Sequence, residues 1–247
     1  KINFITAGVK EAQRNNLAYR VNIESHIKDE LDEFSEQFNI MLERLENEKL
    51  NEIVGVIKKM LPPPQTTTGA FKINCFYKPS KEIGGDFYDA FAIDDSETKY
   101  GLAIADVVGK SFPAAFLTRL GLTSIQLLTR QYSAAPNIFI RKLNAYIRAN
   151  TPPNKWFTMI YCQLDTATNE IELFNCGHPE GLLLCSSGEI KELASQYPMI
   201  GQLSDAKFAK YLSANNSIRF KIAKGDILFL YTDGLSESTV KSETSNV

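Results

Sequence analysis

The chain has 247 residues, a formal net charge of −2 and 44% hydrophobic residues, so it is long enough for one large domain and a smaller module. Its near-neutral charge, without a basic stripe carrying interleaved aromatic residues, excludes the usual nucleic-acid-binding classes. There is no signal peptide, no apolar run that could span a bilayer and no CxxC pairing among the four cysteines, which indicates buried thiols in a reducing, cytosolic setting.

The first 60 residues are predicted to be helical. Apolar residues recur at spacings of three and four in residues 2–12 and 34–45, as they do in packed helices and coiled coils. The residues between these stretches alternate less regularly, so we expect an extended connector there. The apolar phase slips between Leu45 and Leu50, which changes coiled-coil winding, and the prolines of residues 62–64 end the helix.

The apolar seams of these helices predict self-association. One copy of the chain cannot bury them, so a parallel homodimer is expected. Its contacts would be made by Phe34, Phe38, Met41, Leu45, Ile53 and Ile57.

From Phe71 onward strands dominate, interrupted by two helices. Alternating or continuous apolar runs predict strands at residues 71–77, 100–106, 156–165, 170–176 and 226–233. Residues 111–132 and 136–150 carry apolar residues at helical spacing, with Ser111 as the N-cap of the first helix. This order predicts an α+β fold with helices packed on antiparallel sheets.

Three aspartates share one sequence context. Asp86, Asp106 and Asp233 each lie at the end or edge of an apolar strand, beside glycine or a tight turn. A buried unpaired carboxylate is costly, and one hard cation, Mg²⁺ or Mn²⁺, would serve as a shared partner. Each aspartate alone is more often a turn former or helix cap, so the hypothesis depends on the three together.

The other reactive side chains are interpreted as structural. His178, one of only two histidines, has no partner that the sequence reveals, so a turn histidine is favoured over a catalytic one. The cysteines have no histidine paired with them by spacing and are interpreted as core residues.

Six stretches, in this order, carry a family resemblance: KMLPPP, EIGGDFYD, LAIADVVGKSFPAAFLT, TMIYCQLD, FNCGHPEGLLL and KGDILFLYTDGLSE. From about residue 62 to the end, the chain resembles the SpoIIE branch of the PPM-type, metal-dependent serine/threonine phosphatases, relatives of the type 2C enzymes. The resemblance implies an αββα sandwich of two antiparallel sheets with helices outside and a dinuclear Mg²⁺ or Mn²⁺ site at one edge.

The family motif also implies roles for individual residues. Asp86 would bind one ion, Asp106 would bridge both, the Val107 carbonyl would add an oxygen, and Asp233 would hold the other side, with Asp89 as a weaker candidate near the site. The reaction implied is metal-assisted hydrolysis by water without a covalent phosphoenzyme.

Two departures from the family pattern stand out. Members usually carry a further acidic pair after the position of Asp233, and the last helices and strand of the fold are also expected there, so the fold is expected to be C-terminally incomplete in this chain. Ser111 replaces the commoner glycine, with little effect expected because serine also caps a helix.

The first 50 residues resemble a HAMP signalling module in helix, connector and second helix, with Asp29 and Glu30 matching the acidic pair that opens the second helix. A plain dimeric coiled coil is the alternative. The resemblances divide the chain into a HAMP-like module at residues 1–48, a helical linker at 49–62 and a phosphatase domain at 63–247. HAMP modules normally follow a transmembrane helix, so we expect the cytoplasmic domain of an inner-membrane protein.

The leading functional hypothesis is the output domain of a membrane receptor, a HAMP dimer that controls a phosphoserine/phosphothreonine phosphatase. By resemblance, its substrate would be a phosphorylated anti-sigma-factor antagonist of the STAS type. The alternative is a catalytically inactive pseudophosphatase that binds the phosphoprotein. A nucleotide cyclase, suggested by GGDF, is disfavoured because the cyclase signature continues with an acid before its phenylalanine.

Overall fold

The structure is a computed structural model that describes residues 1–14, 16–22, 29–78, 85–109 and 112–238. The chain divides into two compact units, Lys1–Val56 and Ile57–Val247. Within the described residues, every helix is too short or too polar to cross a bilayer.

The N-terminal unit contains two helices, α1 at Ile2–Gln13 and α2 at Glu30–Met60, so the division between the units falls inside α2. Asp29 caps α2, since its Oδ1 accepts the main-chain N–H groups of Leu31 at 3.0 Å and Asp32 at 3.3 Å. Acidic side chains in the first turn also stabilise α2, because they interact favourably with the positive N-terminal end of the helix dipole. The helix–connector–helix order predicted from the sequence is therefore present.

The connector packs against the second helix. Val21 is buried with Phe38 and Leu42 of α2, and the Asn39 side chain exchanges two hydrogen bonds of 2.8 Å with the main chain of Val21. Gly8 of α1 faces Val21 so closely that a β-carbon there would overlap its side chain. The connector thus occupies one stripe of α2.

This packing separates the residues of the predicted dimer contact into one that is buried within its own chain and others that stay exposed. Phe38 is only 9% exposed because it packs within its own chain, which the spacing alone did not reveal. Phe34, Met41 and Leu45 stay 52%, 45% and 41% exposed. The side chains of Ile53 and Ile57 lie outside the described part of the structure.

The C-terminal unit holds a five-stranded sheet in the order β3-β4-β5-β6-β9 and a three-stranded sheet in the order β10-β7-β8, with every pairing antiparallel. The larger sheet is formed by β3 (Phe87–Ala92), β4 (Lys99–Val107), β5 (Phe157–Asp165), β6 (Glu170–Cys176) and β9 (Ile218–Lys221). The smaller is formed by β7 (Gly181–Leu184), β8 (Ile190–Leu193) and β10 (Ile227–Phe229), while β1 (Gln65–Thr68) and β2 (Phe71–Asn74) form a separate hairpin.

The described residues of this unit also form four helices: α3 (Phe112–Gln131), α4 (Pro136–Asn150), α5 (Asp205–Ala214) and the one-turn α6 (Asp233–Ser236). Helix α3 packs on β3 and β4, α4 packs on α3, and α5 packs on α4. Pro136 occupies the first turn of α4, where its missing N–H costs nothing. The predicted N-cap of α3, Ser111, lies outside the described residues.

The two larger sheets pack face to face. Ile160 and Cys162 of β5 share one buried cluster with Leu183 of β7 and Leu193 of β8. Side chains alternate along a strand, so Asp106 of β4 points to the same face as Tyr100 of this cluster. The opposite face of β4 lies under α3.

The α+β class and the two stacked antiparallel sheets agree with the predicted architecture. Helices α3, α4 and α5 form one helical layer on the five-stranded sheet side. The second helical layer of the predicted αββα sandwich is not found among the described residues of this unit, which end at Ser238.

Candidate metal centre

The structure brings together the three aspartates singled out in the sequence. Asp86 directly precedes β3, Asp106 lies near the end of β4, and Asp233 is the first residue of α6. One carboxylate oxygen from each lies within 4.8 Å of the other two. The cluster stands at the edge where the two stacked sheets meet.

Strand register explains this convergence. Phe87 pairs with Ala105, so the next step of the ladder sets Asp86 opposite Asp106. Directly opposite residues point to the same face of a sheet, and neighbours along a strand point to opposite faces. Asp86 and Asp106 therefore share the face that points toward the smaller sheet. Asp233 approaches from that smaller sheet, four residues after β10 ends at Phe229.

Gly85 supplies the space that the centre requires. A β-carbon at this position would lie 2.6 Å from the Val107 carbonyl oxygen and 3.3 Å from Oδ1 of Asp106. The Gly85 carbonyl in turn accepts the Val107 N–H at 3.3 Å. Only glycine therefore allows the main chain to pass beside Asp106 and the Val107 carbonyl, the fourth predicted oxygen ligand.

The donor set fits a hard divalent cation. Negative charges this close repel one another unless a positive charge compensates them. Carboxylate and main-chain carbonyl oxygens are the ligands that Mg²⁺ and Mn²⁺ prefer, in contrast to the thiolates and imidazoles of softer sites. Asp86, Asp106 and Asp233, with the carbonyl of Val107, are the residues that would hold such an ion.

Thr232 belongs to the centre but was not predicted. Its hydroxyl donates a hydrogen bond of 2.7 Å to Oδ2 of Asp86. This contact joins the residue beside Asp233 to a carboxylate on the other sheet, and so fixes the orientation of Asp86.

His178 is a buried histidine with two partners, although the sequence revealed none. Only 3% of the residue is exposed. Its Nδ1 lies 2.8 Å from the hydroxyl of Thr158, and its Nε2 lies 3.1 Å from the carbonyl oxygen of Tyr231. Burial lowers the pKa of His178 to about 4, against smaller raising effects of the Tyr231 carbonyl and Asp86, so the ring is neutral at physiological pH.

The turn before His178 holds the imidazole in place. The buried Asn175 side chain accepts the His178 N–H at 2.9 Å and donates to the Leu193 carbonyl at 3.2 Å. Gly177 has a φ of +69°, and a β-carbon there would meet Met199 at 2.6 Å. The Asn-Cys-Gly-His sequence therefore forms a rigid turn between β6 and β7.

Asp89, the weaker candidate, lies outside the cluster. It is three residues after Asp86, and an odd spacing along a strand places it on the opposite face, under α3. There Gln126 donates to its Oδ2 at 2.7 Å and Ala90 N–H donates to its Oδ1 at 2.9 Å. Burial raises the pKa of Asp89, and these two hydrogen bonds oppose that rise.

All four cysteines are free thiols. Cys162 and Cys176 are fully buried, and burial raises the pKa of both thiols well above the usual range. They are therefore protonated core residues, as the sequence indicated, and poor nucleophiles.

The model of the family "Stage II sporulation protein E (SpoIIE)" matches residues 96–246. Two similar curated proteins come from Bacillus subtilis (strain 168). Phosphoserine phosphatase RsbP is 27% identical over 202 residues, covering 79% of this chain and 47% of that protein. Phosphoserine phosphatase RsbU is 24% identical over 169 residues, covering 68% and 47%. The chain thus spans about half the length of these relatives.

A solved structure shows the same fold. The SiaA-PP2C domain of Pseudomonas aeruginosa aligns with a TM-score of 0.61 at 18% identity, covering 78% of this chain and 73% of that one. The likeness extends the sequence match to the three-dimensional arrangement of the sheets. Because the family model covers more than half of the sequence, the chain belongs to the SpoIIE family.

Proposed function

We propose that this chain is a metal-dependent serine/threonine protein phosphatase. The observation that carries the proposal is the convergence of Asp86, Asp106 and Asp233 at the seam of two stacked sheets in a SpoIIE-family chain. Two similar proteins named phosphoserine phosphatases support phosphoserine hydrolysis as the reaction class.

The residues of the chain hold and orient the centre. Two bound Mg²⁺ or Mn²⁺ ions would supply positive charge at the phosphoryl group and a water of lowered pKa. Asp106, near the end of β4, would be a shared ligand of these ions, as the family resemblance implies. The hydroxyl of Thr232 keeps Asp86 in one orientation, and Asp233 closes the cluster from the smaller sheet.

The substrate is proposed to be a phosphorylated protein. The family resemblance favours a STAS-type anti-sigma-factor antagonist as that protein. The exposed edge position of Asp233 supports a macromolecular substrate, because a phosphorylated side chain has to reach the metal centre from outside.

The N-terminal unit is proposed to act as a HAMP-like dimer that controls this activity in a membrane-linked receptor. The helix–connector–helix arrangement supports the resemblance. The exposed stripe of Phe34, Met41 and Leu45 supports pairing with a second copy, since three large apolar side chains on one helix face gain by burial.

Metal-dependent turnover tests the proposed function. The full-length phosphatase domain is expected to hydrolyse p-nitrophenyl phosphate and a phosphoserine peptide with Mn²⁺ or Mg²⁺, and to lose activity in EDTA. Asp106→Asn should reduce kcat by a factor of about 100 or more, because it removes a ligand of the charge-stabilising ions. Asp95→Asn, at an exposed position of the β3–β4 connection, is the matched control.

Turnover that resists EDTA, or near-normal turnover in Asp106→Asn, would show that the centre is elsewhere. Mn²⁺ and phosphopeptide binding without turnover would instead assign the chain the regulatory, pseudophosphatase role.

A further inference from the structure

We propose that His178 is a positioning residue of the metal centre. Its imidazole bridges Thr158 of β5 to the main chain at Tyr231 and so fixes where Asp233 meets the other two carboxylates. This inference rests on the proposed function, because it concerns the geometry of the same three ligands.

A neutral ring satisfies both of its contacts with only one arrangement of hydrogens. The Tyr231 carbonyl oxygen only accepts, so Nε2 carries the hydrogen and donates it over 3.1 Å. Nδ1 is then an acceptor, and the Thr158 hydroxyl donates to it over 2.8 Å, a shorter contact than its 3.4 Å alternative to the Asp106 carbonyl. Both ring nitrogens are thereby occupied, which leaves neither as a metal ligand.

The two ends of this bridge reach the two sides of the centre. Thr158 is the ladder partner of Asp106, so the bridge begins beside the ligand of the five-stranded sheet. Tyr231 is two residues before Asp233, so the bridge ends beside the ligand that comes after the three-stranded sheet. His178 therefore sets the distance between them.

The segment that carries Asp233 depends on such anchors. Strand β10 ends at Phe229 and α6 begins at Asp233, so residues 230–232 lie between regular elements. His178 holds the carbonyl of Tyr231, and Thr232 donates to Asp86. Tyr231 is thus held through its carbonyl oxygen and Thr232 through its hydroxyl. These two contacts determine the position of Asp233, the next residue.

The turn that precedes His178 also fixes its position. The Asn175 side chain and the left-handed Gly177 form the turn that carries it, and the burial of His178 leaves the ring little room to rotate. A residue held by one main-chain and two ring hydrogen bonds transmits its position to Tyr231, as groups that orient metal ligands generally do.

Four substitutions separate the bridge from simple filling of the space. In His178→Gln the amide nitrogen reaches about as far as Nε2 and keeps a donor for the Tyr231 carbonyl. In His178→Asn the shorter amide keeps a polar group only near Nδ1, and His178→Phe keeps the volume without either hydrogen bond. Thr158→Val removes the hydroxyl at the other end of the bridge with almost unchanged shape.

The readout is Mn²⁺ affinity of the full chain, measured by isothermal titration calorimetry without substrate. His178→Asn and His178→Phe are expected to weaken Mn²⁺ binding by roughly 10- to 100-fold, the range for groups that orient metal ligands. His178→Gln and Thr158→Val each break only the contact between Thr158 and residue 178, so each should weaken binding by less than His178→Phe does. The double variant His178→Asn/Thr158→Val should be no worse than His178→Asn alone, because both changes break one bridge.

The outcomes distinguish this inference from the proposed function. Wild-type Mn²⁺ binding that Asp106→Asn abolishes supports the metal centre irrespective of His178. If the four His178 and Thr158 variants then bind Mn²⁺ like wild type and differ only in melting temperature, His178 has a structural role alone and the inference is wrong. A wild-type chain that binds no Mn²⁺ would overturn both.

Discussion

At Gly85 the main chain runs between the Val107 carbonyl and the Asp106 carboxylate with no room for a side chain. We expect Gly85→Ala to weaken Mn²⁺ binding and to destabilise the fold by about 1–3 kcal/mol, since the new methyl group would stand 2.6 Å from the carbonyl oxygen. Mn²⁺ titration and urea unfolding measure the two effects. Gly234→Ala is the control, because its β-carbon would lie 3.8 Å from Thr232 Oγ1, an ordinary contact. Equal behaviour of the two variants would contradict this account.

Asp94 makes the β3–β4 connection sensitive to pH. Burial alone would raise its pKa, but hydrogen bonds from Thr98, Lys99 and Ser96 lower it to about 2. A carboxyl group whose pKa is lower in the folded state stabilises the fold at pH values above its ordinary pKa, near 3.8. This stabilisation is lost as the pH falls toward 2.

Asp94→Asn should therefore lower the urea midpoint at pH 7, and the difference from wild type should narrow at pH 3. Asp95→Asn, an exposed neighbour, should show no such narrowing. A difference that stays constant from pH 7 to pH 3 would show that the Asp94 charge does not matter.

Among the elements, α2 offers a test of self-association. Its exposed stripe of Phe34, Met41 and Leu45 lies next to the stripe that packs on the connector. Met41→Lys is expected to convert a dimer into a monomer in sedimentation or light-scattering measurements, because a charge there would be buried unpaired. Glu43→Lys places the same residue on the opposite side of the helix and should leave the dimer intact. A wild-type monomer at micromolar concentration would refute the dimer.

The elements that could be predicted are those with long periodic patterns. Helices α3 and α4 and strands β4 to β6 each carry many apolar residues in phase, so the sequence located them. Strands β7, β8 and β9 have four residues each, and α5 has Phe208 as its single buried residue, so none of them offers a period to detect. The last predicted strand, residues 226–233, is shorter in the structure: β10 ends at Phe229, and Asp233 is the first residue of α6.

The sequence predicted which three aspartates come together, but not the contacts that support them. Each aspartate stands at a strand end beside a glycine or a turn, a signal that is local in the sequence. The supporting contacts are not local: Thr158 meets His178 across 20 residues, His178 meets Tyr231 across 53, and Thr232 meets Asp86 across 146. Only the stacking of the two sheets creates these pairs.

At the scale of the whole molecule, α2 is the one element among the described residues that continues from one unit into the other. Deleting Asn47 and Glu48 removes two residues from this helix and rotates its C-terminal part by about 200° relative to its N-terminal part. We expect this deletion to shift Mn²⁺-dependent turnover to a fixed high or low value. The double substitution Asn47→Ala/Glu48→Ala keeps the length and should preserve turnover. If the deletion also preserved it, this stretch of α2 would be a passive tether.

The hydrogen bond from Thr232 to Asp86 closes a loop of 146 residues. Holding the ends of so long a loop together costs chain entropy, as it does for a disulfide. A cation shared by Asp86, Asp106 and Asp233 would therefore act as a reversible cross-link between the sheets. At a concentration 100 times its dissociation constant it would add about 2.7 kcal/mol to the free energy of unfolding. Removing the cation would loosen the packing between the two sheets before it disrupts the hydrogen bonds within each sheet. Resistance to proteolysis at the end of β10 would therefore depend on the concentration of divalent cation.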